Sequence, residues 1–296
     1  MKAVKDSKQP LLVNEGESPG RKAWGRLKRK KFAMVCLGVI AVYVLIMLLG
    51  FANLLPDFQG RIGDPNEAPS LDFAKILGTD MFGRSVFYKI LIGAKTAMTI
   101  GFLTTAISLP VGIFFGSISG YYGGKVDAVV MWIYTVLSSI PNILLLVGIS
   151  FVLGKGLVSI CVAMGAVGWI GLCRLIRGEV MKHKNLEYVL ASRLLGASHM
   201  RIIFRHILPN VFHLVIVSAS LSILAAIKFE VILTFLGVGI QTGASWGTMV
   251  ADAAGELVNR VWWPLFGVTL AMFLILYSLN VVGDALRDAL DPKYVD

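Results

Sequence analysis

The residues able to do chemistry in this 296-residue chain are few. Lys228 and Glu230 are charged residues beside a long apolar run, and charges within membrane segments mark substrate or ion pathways. Two positions apart on a helix, they point about 200° away from each other, so they do not pair. We hypothesise that Glu230 lines a substrate path, with local packing as the alternative. Asn142, in another apolar run, is the second residue assigned to that path.

The histidines and cysteines do not predict a metal site or a disulfide. Three histidines recur every seventh position, but Pro209 interrupts the helix they would share and no carboxylate or cysteine joins them. The three cysteines all fall in apolar runs, where small buried hydrophobic side chains are the expected role. No Ser/His/Asp set or carboxylate pair is recognisable, so we predict no catalytic, cofactor or metal residue. The residues concerned are His199, His206, His213, Cys36, Cys161 and Cys173.

The composition predicts a membrane protein. The chain is 56% hydrophobic and 16% charged, whereas soluble domains carry about a quarter charged residues. A spanning helix needs about 20 apolar residues, and reading the gaps between charges predicts six spans. Pro110 and Pro141 lie within the second and third spans and are candidate kinks. The spans lie between Lys31 and Asp57, Lys95 and Lys125, Asp127 and Lys155, Lys155 and Arg174, Arg205 and Lys228, and Arg260 and Asp284.

The distribution of cations predicts the orientation. Lysine and arginine collect in the N-terminal tail and between residues 174 and 205, so both regions face the cytoplasm under the positive-inside rule. An even number of spans places both termini on that side. The first span follows a polar tail of about thirty residues and predicts an uncleaved anchor rather than a secretory signal. The net charge of +10 therefore reflects topology, and no nucleic-acid partner is predicted.

The segment Tyr188–Asn210 is too long and too rich in helix formers for a simple connection. Its small residues would let a partner approach the backbone, Leu194, Leu195 and Ile203 offer apolar anchors, and its arginines offer a polar rim. A helix that only packs on its own bundle is the alternative. The residues assigned to docking are Ala191, Ser192, Arg193, Leu195, Gly196, Ala197, Arg201, Leu208 and Pro209.

This segment resembles the cytoplasmic loop of permease subunits of ATP-binding-cassette importers. That loop follows the pattern Glu-Ala-Ala, three residues, Gly, nine residues, Ile, one residue, Leu-Pro. With the glycine on Gly196, the alanines fall on Ala191 and Ser192, and the final pair falls on Leu208 and Pro209. Leu190 and His206 depart from the pattern, at its glutamate and its isoleucine.

Three further stretches resemble the dipeptide, oligopeptide and nickel branch, specifically its permease C type. They are Leu77–Asp80 with Gly83-Arg84 and Gly93-Ala94, Phe235–Ile240 with Ser245–Gly247, and Asn280 with Gly283-Asp284 to Asp291-Pro292. The resemblance covers about residues 21–293 and implies the transmembrane subunit of an ATP-driven importer in the bacterial cytoplasmic (inner) membrane. The implied substrate is a di- or oligopeptide, with nickel or another small solute as the alternative. A secondary transporter is disfavoured because the spans lack carboxylates near the bilayer midplane.

The resemblance also implies partners. They are a second homologous permease in a heterodimer, two ATP-binding subunits, an extracytoplasmic substrate-binding protein and membrane lipid. ATP and Mg²⁺ belong to the ATP-binding subunits, because Lys125 and Lys155 follow glycines without the phosphate-binding pattern. This chain is therefore predicted to bind no cofactor and to be no enzyme.

The predicted fold class is all-α integral membrane, with six spans, cytoplasmic termini, a coupling helix between spans four and five, and short outer helices. Thr79-Asp80 predicts a helix N-cap, with Asp80 paired to Arg84. Asp252, Glu256 and Arg260 predict ion pairs along an outer helix at Trp246–Leu257. The predicted divisions are a disordered cytoplasmic tail (1–20), an interfacial helix and first span (21–56), an outer segment (57–95), a five-helix permease core (96–290) with a docking loop (178–210), and a cytoplasmic tail (291–296).

Overall fold

The computed structural model describes residues 19–290, in which the regular elements are helices. The predicted tail 1–20, apart from its last two residues, and the predicted tail 291–296 lie outside the described residues. A 3₁₀ turn lies at Phe73–Lys75, and a π-helical turn at Ile202–Ile207 joins α8 to α9. The helices are α1 Pro19–Arg29, α2 Lys31–Phe51, α3 Val86–Tyr122, α4 Gly124–Ser138, α5 Asn142–Leu153, α6 Leu157–His183, α7 Glu187–Leu194, α8 His199–Arg201, α9 Leu208–Phe235, α10 Trp246–Val258 and α11 Trp263–Leu290.

Within residues 19–290, five helical segments are long and apolar enough to cross a membrane: α2, α3, α6, the segment from α8 through α9, and α11. Helices α4 and α5 together form a sixth candidate span that is bent by 90°. The bend lies at the predicted kink, where Pro141 immediately precedes α5. Proline lacks the N–H that would continue α4 and restricts the residue before it to extended backbone. Pro110, in contrast, lies inside the continuous helix α3.

Close packing of α3 against α6 forms the centre of the bundle. A Cβ built on Gly112 would lie 2.9 Å from Trp169 O, and one built on Gly116 would lie 2.7 Å from Cys173 O. Gly120 stands in the same relation to Arg177 O, at 2.7 Å. Glycines four residues apart therefore present one flat face, along which the α6 backbone approaches α3 directly. This arrangement compensates for the weak hydrophobic drive between helices in lipid.

The two ends of the described chain meet at one end of the bundle. Leu27 of α1 is buried against Ala285 of α11. The Lys30 ammonium lies 2.7 Å from the Asp288 carboxylate, an exposed ion pair that contributes little stability by itself. The burial of Leu27 is thus the main attachment of α1. The contact brings residues 19–30 and the end of α11 to the same end of the bundle.

The connection between α2 and α3 is irregular, and the N-cap of α3 differs from the prediction. Ser85, rather than Thr79 or Asp80, caps the helix, because its side chain accepts a hydrogen bond from Tyr88 N–H. Asp80 instead closes a turn by accepting hydrogen bonds from the N–H groups of Phe82 and Arg84, both at 2.9 Å. The predicted Asp80–Arg84 ion pair is confirmed, with 2.8 Å between Arg84 Nε and Asp80 Oδ2.

The outer helix α10 confirms the predicted element but not its ion pairs. Ser245 and Thr248 form a capping box at its start, and the indole of Trp246 is fully buried against α3. Asp252 faces Lys89 of α3 at 3.5 Å, and Glu256 accepts a hydrogen bond from Met81 N–H at 2.8 Å. Arg260 lies beyond the helix end, with φ +64°. Asp252 and Glu256 therefore join α10 to α3 and to the connection before it, and the prediction of pairs along α10 is wrong.

Candidate docking surface and transmembrane cavity

Val189 is the buried side chain by which α7 packs on its own bundle. It is 0% exposed and lies in a buried cluster with side chains of the long helices. The cluster draws its residues from α3, α6 and the segment that begins α9. They include Tyr121, Val180, Ile202, Ile203, Ile207 and Val211. The cluster therefore connects α7 with three of the candidate spans.

The end of α7 presents two leucines to the surroundings. Gly196 has φ +79°, a conformation that glycine adopts readily and other residues resist. Ala197 N–H donates to Ser192 O at 3.1 Å and Gly196 N–H donates to Arg193 O at 3.0 Å, which is the Schellman arrangement of a helix end. Leu194 and Leu195, just before this turn, are each 89% exposed. The turn therefore holds an apolar pair outward on a fixed backbone.

The predicted docking residues fall into two groups by exposure. Those open to the surroundings are Ala191, Arg193, Leu195, Gly196, Arg201 and Pro209, and those half-buried are Ser192, Ala197 and Leu208. The hydroxyl of Ser192 donates to Tyr188 O within the helix, at 2.8 Å. Ile203 was expected as an apolar anchor for a partner, and this is wrong: it is fully buried in the chain's own bundle. Pro209 lies in the first turn of α9, where its missing N–H costs no helical hydrogen bond.

A tyrosine at the C-terminal end of α3 joins α7 and α8. The hydroxyl oxygen of Tyr121 lies 3.0 Å from His199 Nδ1 and 3.4 Å from Arg193 Nη2. The Arg193 guanidinium also lies over the Tyr121 ring, 5.7 Å from its centroid. These contacts fix the start and end of the exposed turn relative to α3. Within residues 19–290, no group of three or more His, Cys, Asp or Glu side chains is arranged to hold a metal ion.

A cavity of about 750 Å³ lies between α3, α4, α5, α6 and α9, at the level of the spans. Asn142, predicted for the substrate path, lines it. The wall combines apolar side chains, among them Leu146, Met164 and Phe229, with neutral polar ones. The neutral polar lining residues besides Asn142 are Thr104, Ser108, Ser138, Ser218 and Ser222. Such a mixture suits a small ligand that has both apolar and hydrogen-bonding groups.

Glu230, the other residue predicted for the substrate path, lies apart from this cavity. It is 0% exposed, and its Oε1 accepts a hydrogen bond from Thr234 at 3.0 Å, while its Oε2 has no partner among the described residues. The Thr234 hydroxyl also accepts a hydrogen bond from Ile240 N–H at 3.1 Å. Glu230 therefore lies beneath the turn that follows α9. Lys228 is exposed, and no ion pair joins it to Glu230 within residues 19–290.

Arg174 is a cavity residue that the sequence did not single out. It is the one charged side chain among the described residues that line the cavity. In the sequence it was one of several cations used to orient the chain. The sequence does show that Arg174 and Arg177 are three residues apart, which places two arginines one turn apart on α6. Only the structure shows that one of them is paired with a carboxylate and the other faces the cavity.

A second cavity, of about 580 Å³, lies at the opposite end of the bundle from α7. Arg84, Lys89 and Asp252 line it, and Lys89 lies 3.0 Å from the Asp80 carboxylate. Burial by itself raises the pKa of Asp80, but the Lys89 ammonium and the N–H donors of Arg84 and Phe82 outweigh it and lower that pKa below its usual value. Burial raises the pKa of Glu256, and the hydrogen bond from Met81 N–H opposes the rise.

Comparison with known proteins agrees with this architecture. Residues 112–296 match the family described as "Binding-protein-dependent transport system inner membrane component", and residues 18–69 match "N-terminal TM domain of oligopeptide transport permease C". A solved structure titled for the inward-facing MetNI methionine ABC transporter shares the fold, with a TM-score of 0.53 at 20% identity, over 69% of this chain and 94% of that one.

Three relatives cover nearly all of the chain. The dipeptide transport system permease protein DppC of Bacillus subtilis is 38% identical, over 92% of this chain and 85% of its own. The oligopeptide transport system permease protein OppC of the same organism is 36% identical over 96% of each chain. The glutathione transport system permease protein GsiD of Pectobacterium atrosepticum is 33% identical, over 93% of this chain and 92% of its own. This chain therefore belongs to the family of inner-membrane components of binding-protein-dependent transport systems.

Proposed function

We propose that this chain forms one half of the pore of an ATP-driven importer for di- and oligopeptides in the bacterial cytoplasmic membrane. The substrate class is taken from the relatives, whose names specify dipeptides, oligopeptides and glutathione, itself a short peptide. The 750 Å³ cavity among the spans supports the same class, because its wall offers hydroxyl and amide groups to a peptide backbone and apolar surface to side chains.

The observation that carries the proposal is the form of α7 and the turn after it. A helix that is held by Val189 and ends in two leucines, each 89% exposed, has the form of an element built to enter a groove on a partner. Under the predicted orientation this surface faces the cytoplasm, where ATP is available. We therefore assign α7 and residues 195–198 as the docking surface for an ATP-binding subunit.

Docking at α7 provides a route from ATP to the cavity. Closure of two ATP-binding subunits would move α7, and the buried cluster around Val189 would transmit the movement to α3, α6 and α9. The same three helices form much of the cavity wall. ATP then drives transport only because the ATP-bound partner has a higher affinity for one of the two bundle states than for the other.

The complete assembly in this proposal contains a second, different permease, two ATP-binding subunits and an extracytoplasmic substrate-binding protein. ATP and Mg²⁺ are bound by the ATP-binding subunits. The substrate-binding protein delivers peptide at the opposite end of the bundle from α7. The exposed connection that includes Leu71 lies there, next to the 580 Å³ cavity.

Cross-linking from a single cysteine tests the docking assignment. The three native cysteines are buried, so Leu195→Cys adds one accessible thiol, and Leu71→Cys is its matched control on the other side. In native membranes, a bifunctional reagent on Leu195→Cys should attach an ATP-binding protein, and the same reagent on Leu71→Cys should not. Attachment of the ATP-binding protein to neither variant, or to both equally, would contradict the assignment.

A further inference from the structure

Two arginines on α6 have opposite surroundings. Arg177 is neutralised by Asp127 of α4: its Nε and Nη2 both donate to the carboxylate, with 2.6 Å between Nη2 and Oδ2. Arg174, one turn earlier, forms no ion pair with any carboxylate of residues 19–290. Its Nη2 donates to the neutral hydroxyl of Ser138 at 2.8 Å. The Arg174 guanidinium, at the end of the fourth predicted span, is exposed to the cavity and has no countercharge among residues 19–290.

The guanidinium of Arg174 is held in position and keeps most of its donors free. The ring of Tyr134 lies 4.6 Å from the guanidinium carbon, and Ser138 accepts one hydrogen bond. These two contacts from α4 fix one face and one edge of the group. Because arginine has five N–H donors, the remaining edge can bind a carboxylate through two parallel hydrogen bonds.

The other groups on the cavity wall define what this cation can meet. Arg174 is the single charged residue on the described wall, and the remaining polar groups are neutral hydroxyls and the Asn142 amide. Such a site favours a ligand with one anionic group, further hydrogen-bonding groups and apolar parts. A linear peptide has these features, since every one carries a single C-terminal carboxylate.

We propose that Arg174 binds the C-terminal carboxylate of the transported peptide. The inference rests on the proposed peptide transport and adds the group by which the pore holds its substrate. Arg174 lies nine residues before the end of α6 at His183, about 14 Å along the helix axis. The carboxylate would thus be held toward the inner end of the cavity, so that the peptide enters the pore with its C-terminus leading. An acidic side chain of the peptide offers the same carboxylate chemistry, and the experiment separates the two cases.

The test compares peptides that differ only in charge. The complete complex, with its binding protein and ATP-binding subunits, is reconstituted in liposomes, and uptake of trialanine and trialanine amide is measured at saturating binding protein. The measured quantity is the carboxylate-to-amide uptake ratio of a variant divided by that of the unmodified complex, because preferences of the binding protein then cancel. For Arg174→Gln we expect this quotient to fall about tenfold, and for Arg174→Lys to fall less. Alanyl-glutamyl-alanine amide tests whether an acidic side chain replaces the terminal carboxylate.

Arg177→Gln is the matched control, because it removes an arginine from the same helix and breaks an ion pair within the bundle. It should lower uptake of both peptides equally and leave the quotient at one. A quotient of one for both Arg174 variants, with uptake of both peptides unchanged or equally reduced, would overturn the inference and assign Arg174 to packing or to a partner's acidic group. If the complex prefers alanyl-glutamyl-alanine amide to trialanine, and Arg174→Gln removes this preference, the assignment of Arg174 to the C-terminal carboxylate is overturned. If the unmodified complex transports no peptide, the proposed function fails instead.

Discussion

Truncation of the exposed leucines should weaken the attachment of the ATP-binding subunit without destabilising this chain. Leu194 and Leu195 are each 89% exposed, so replacing either with alanine removes almost no internal contact. Each replacement deletes three carbon atoms, and burial of such groups on docking is worth about 0.8 kcal/mol each. The expected loss is about 2.4 kcal/mol per leucine, or roughly fiftyfold in the dissociation constant. Surface substitutions of this kind change folding stability by about 0.5 kcal/mol or less.

The assay is a titration of the permease pair, in lipid nanodiscs, with the purified ATP-binding subunit. Leu194→Ala and Leu195→Ala should each raise the dissociation constant about fiftyfold at an unchanged thermal midpoint. Leu71→Ala, at a site that is 105% exposed on the other side, should leave both quantities unchanged. Dissociation constants within twofold of the unmodified value for both variants would refute the assignment of the apolar pair to docking.

Three further predictions follow from the described contacts. Gly196→Trp has open space for its added Cβ, because no atom lies within 4 Å, but it strains a backbone held at φ +79°. The variant should still reach the membrane, yet should abolish uptake by occupying the docking face. The stabilisation from the depressed pKa of Asp80 is complete above its unfolded value of about 3.9 and is lost below it. The difference in thermal midpoint between the unmodified chain and Asp80→Asn should therefore shrink as the pH falls from 6 to 3. Trp246→Ala should lower the free energy of unfolding, measured in urea, by about 3–5 kcal/mol.

The positions of the spans and of α7 were predictable from the sequence because they depend on local composition. Lipid tolerates few charges, so the gaps between charged residues predicted the spans, and proline chemistry predicted the break at Pro141. The four-residue spacing of the glycines at positions 112, 116 and 120 is likewise typical of a helix face that packs closely. The 90° angle between α4 and α5 was not predictable, since proline interrupts a helix without setting the direction of the next one.

The errors concern contacts between segments distant in the chain. Ile203 and Leu195 are both apolar residues of one segment, and only the packing against Val189 and Tyr121 shows that the first is buried and the second exposed. The spacing of Asp252 and Glu256 suggested partners along the helix, whereas Lys89 and Met81 N–H offer partners from another element. Arg174 was missed for the same reason, because the difference from Arg177 depends on where α4 places Asp127.

The central claim is that this chain moves peptide only as part of an ATP-driven assembly. The most direct measurement is uptake of a labelled tripeptide into liposomes that contain this chain with its second permease, ATP-binding subunits and binding protein. Uptake should require enclosed ATP, should stop when the ATP-binding subunits are omitted, and should persist without any ion gradient. Uptake by this chain alone, driven by a pH or sodium gradient and indifferent to ATP, would contradict the account and identify a secondary transporter.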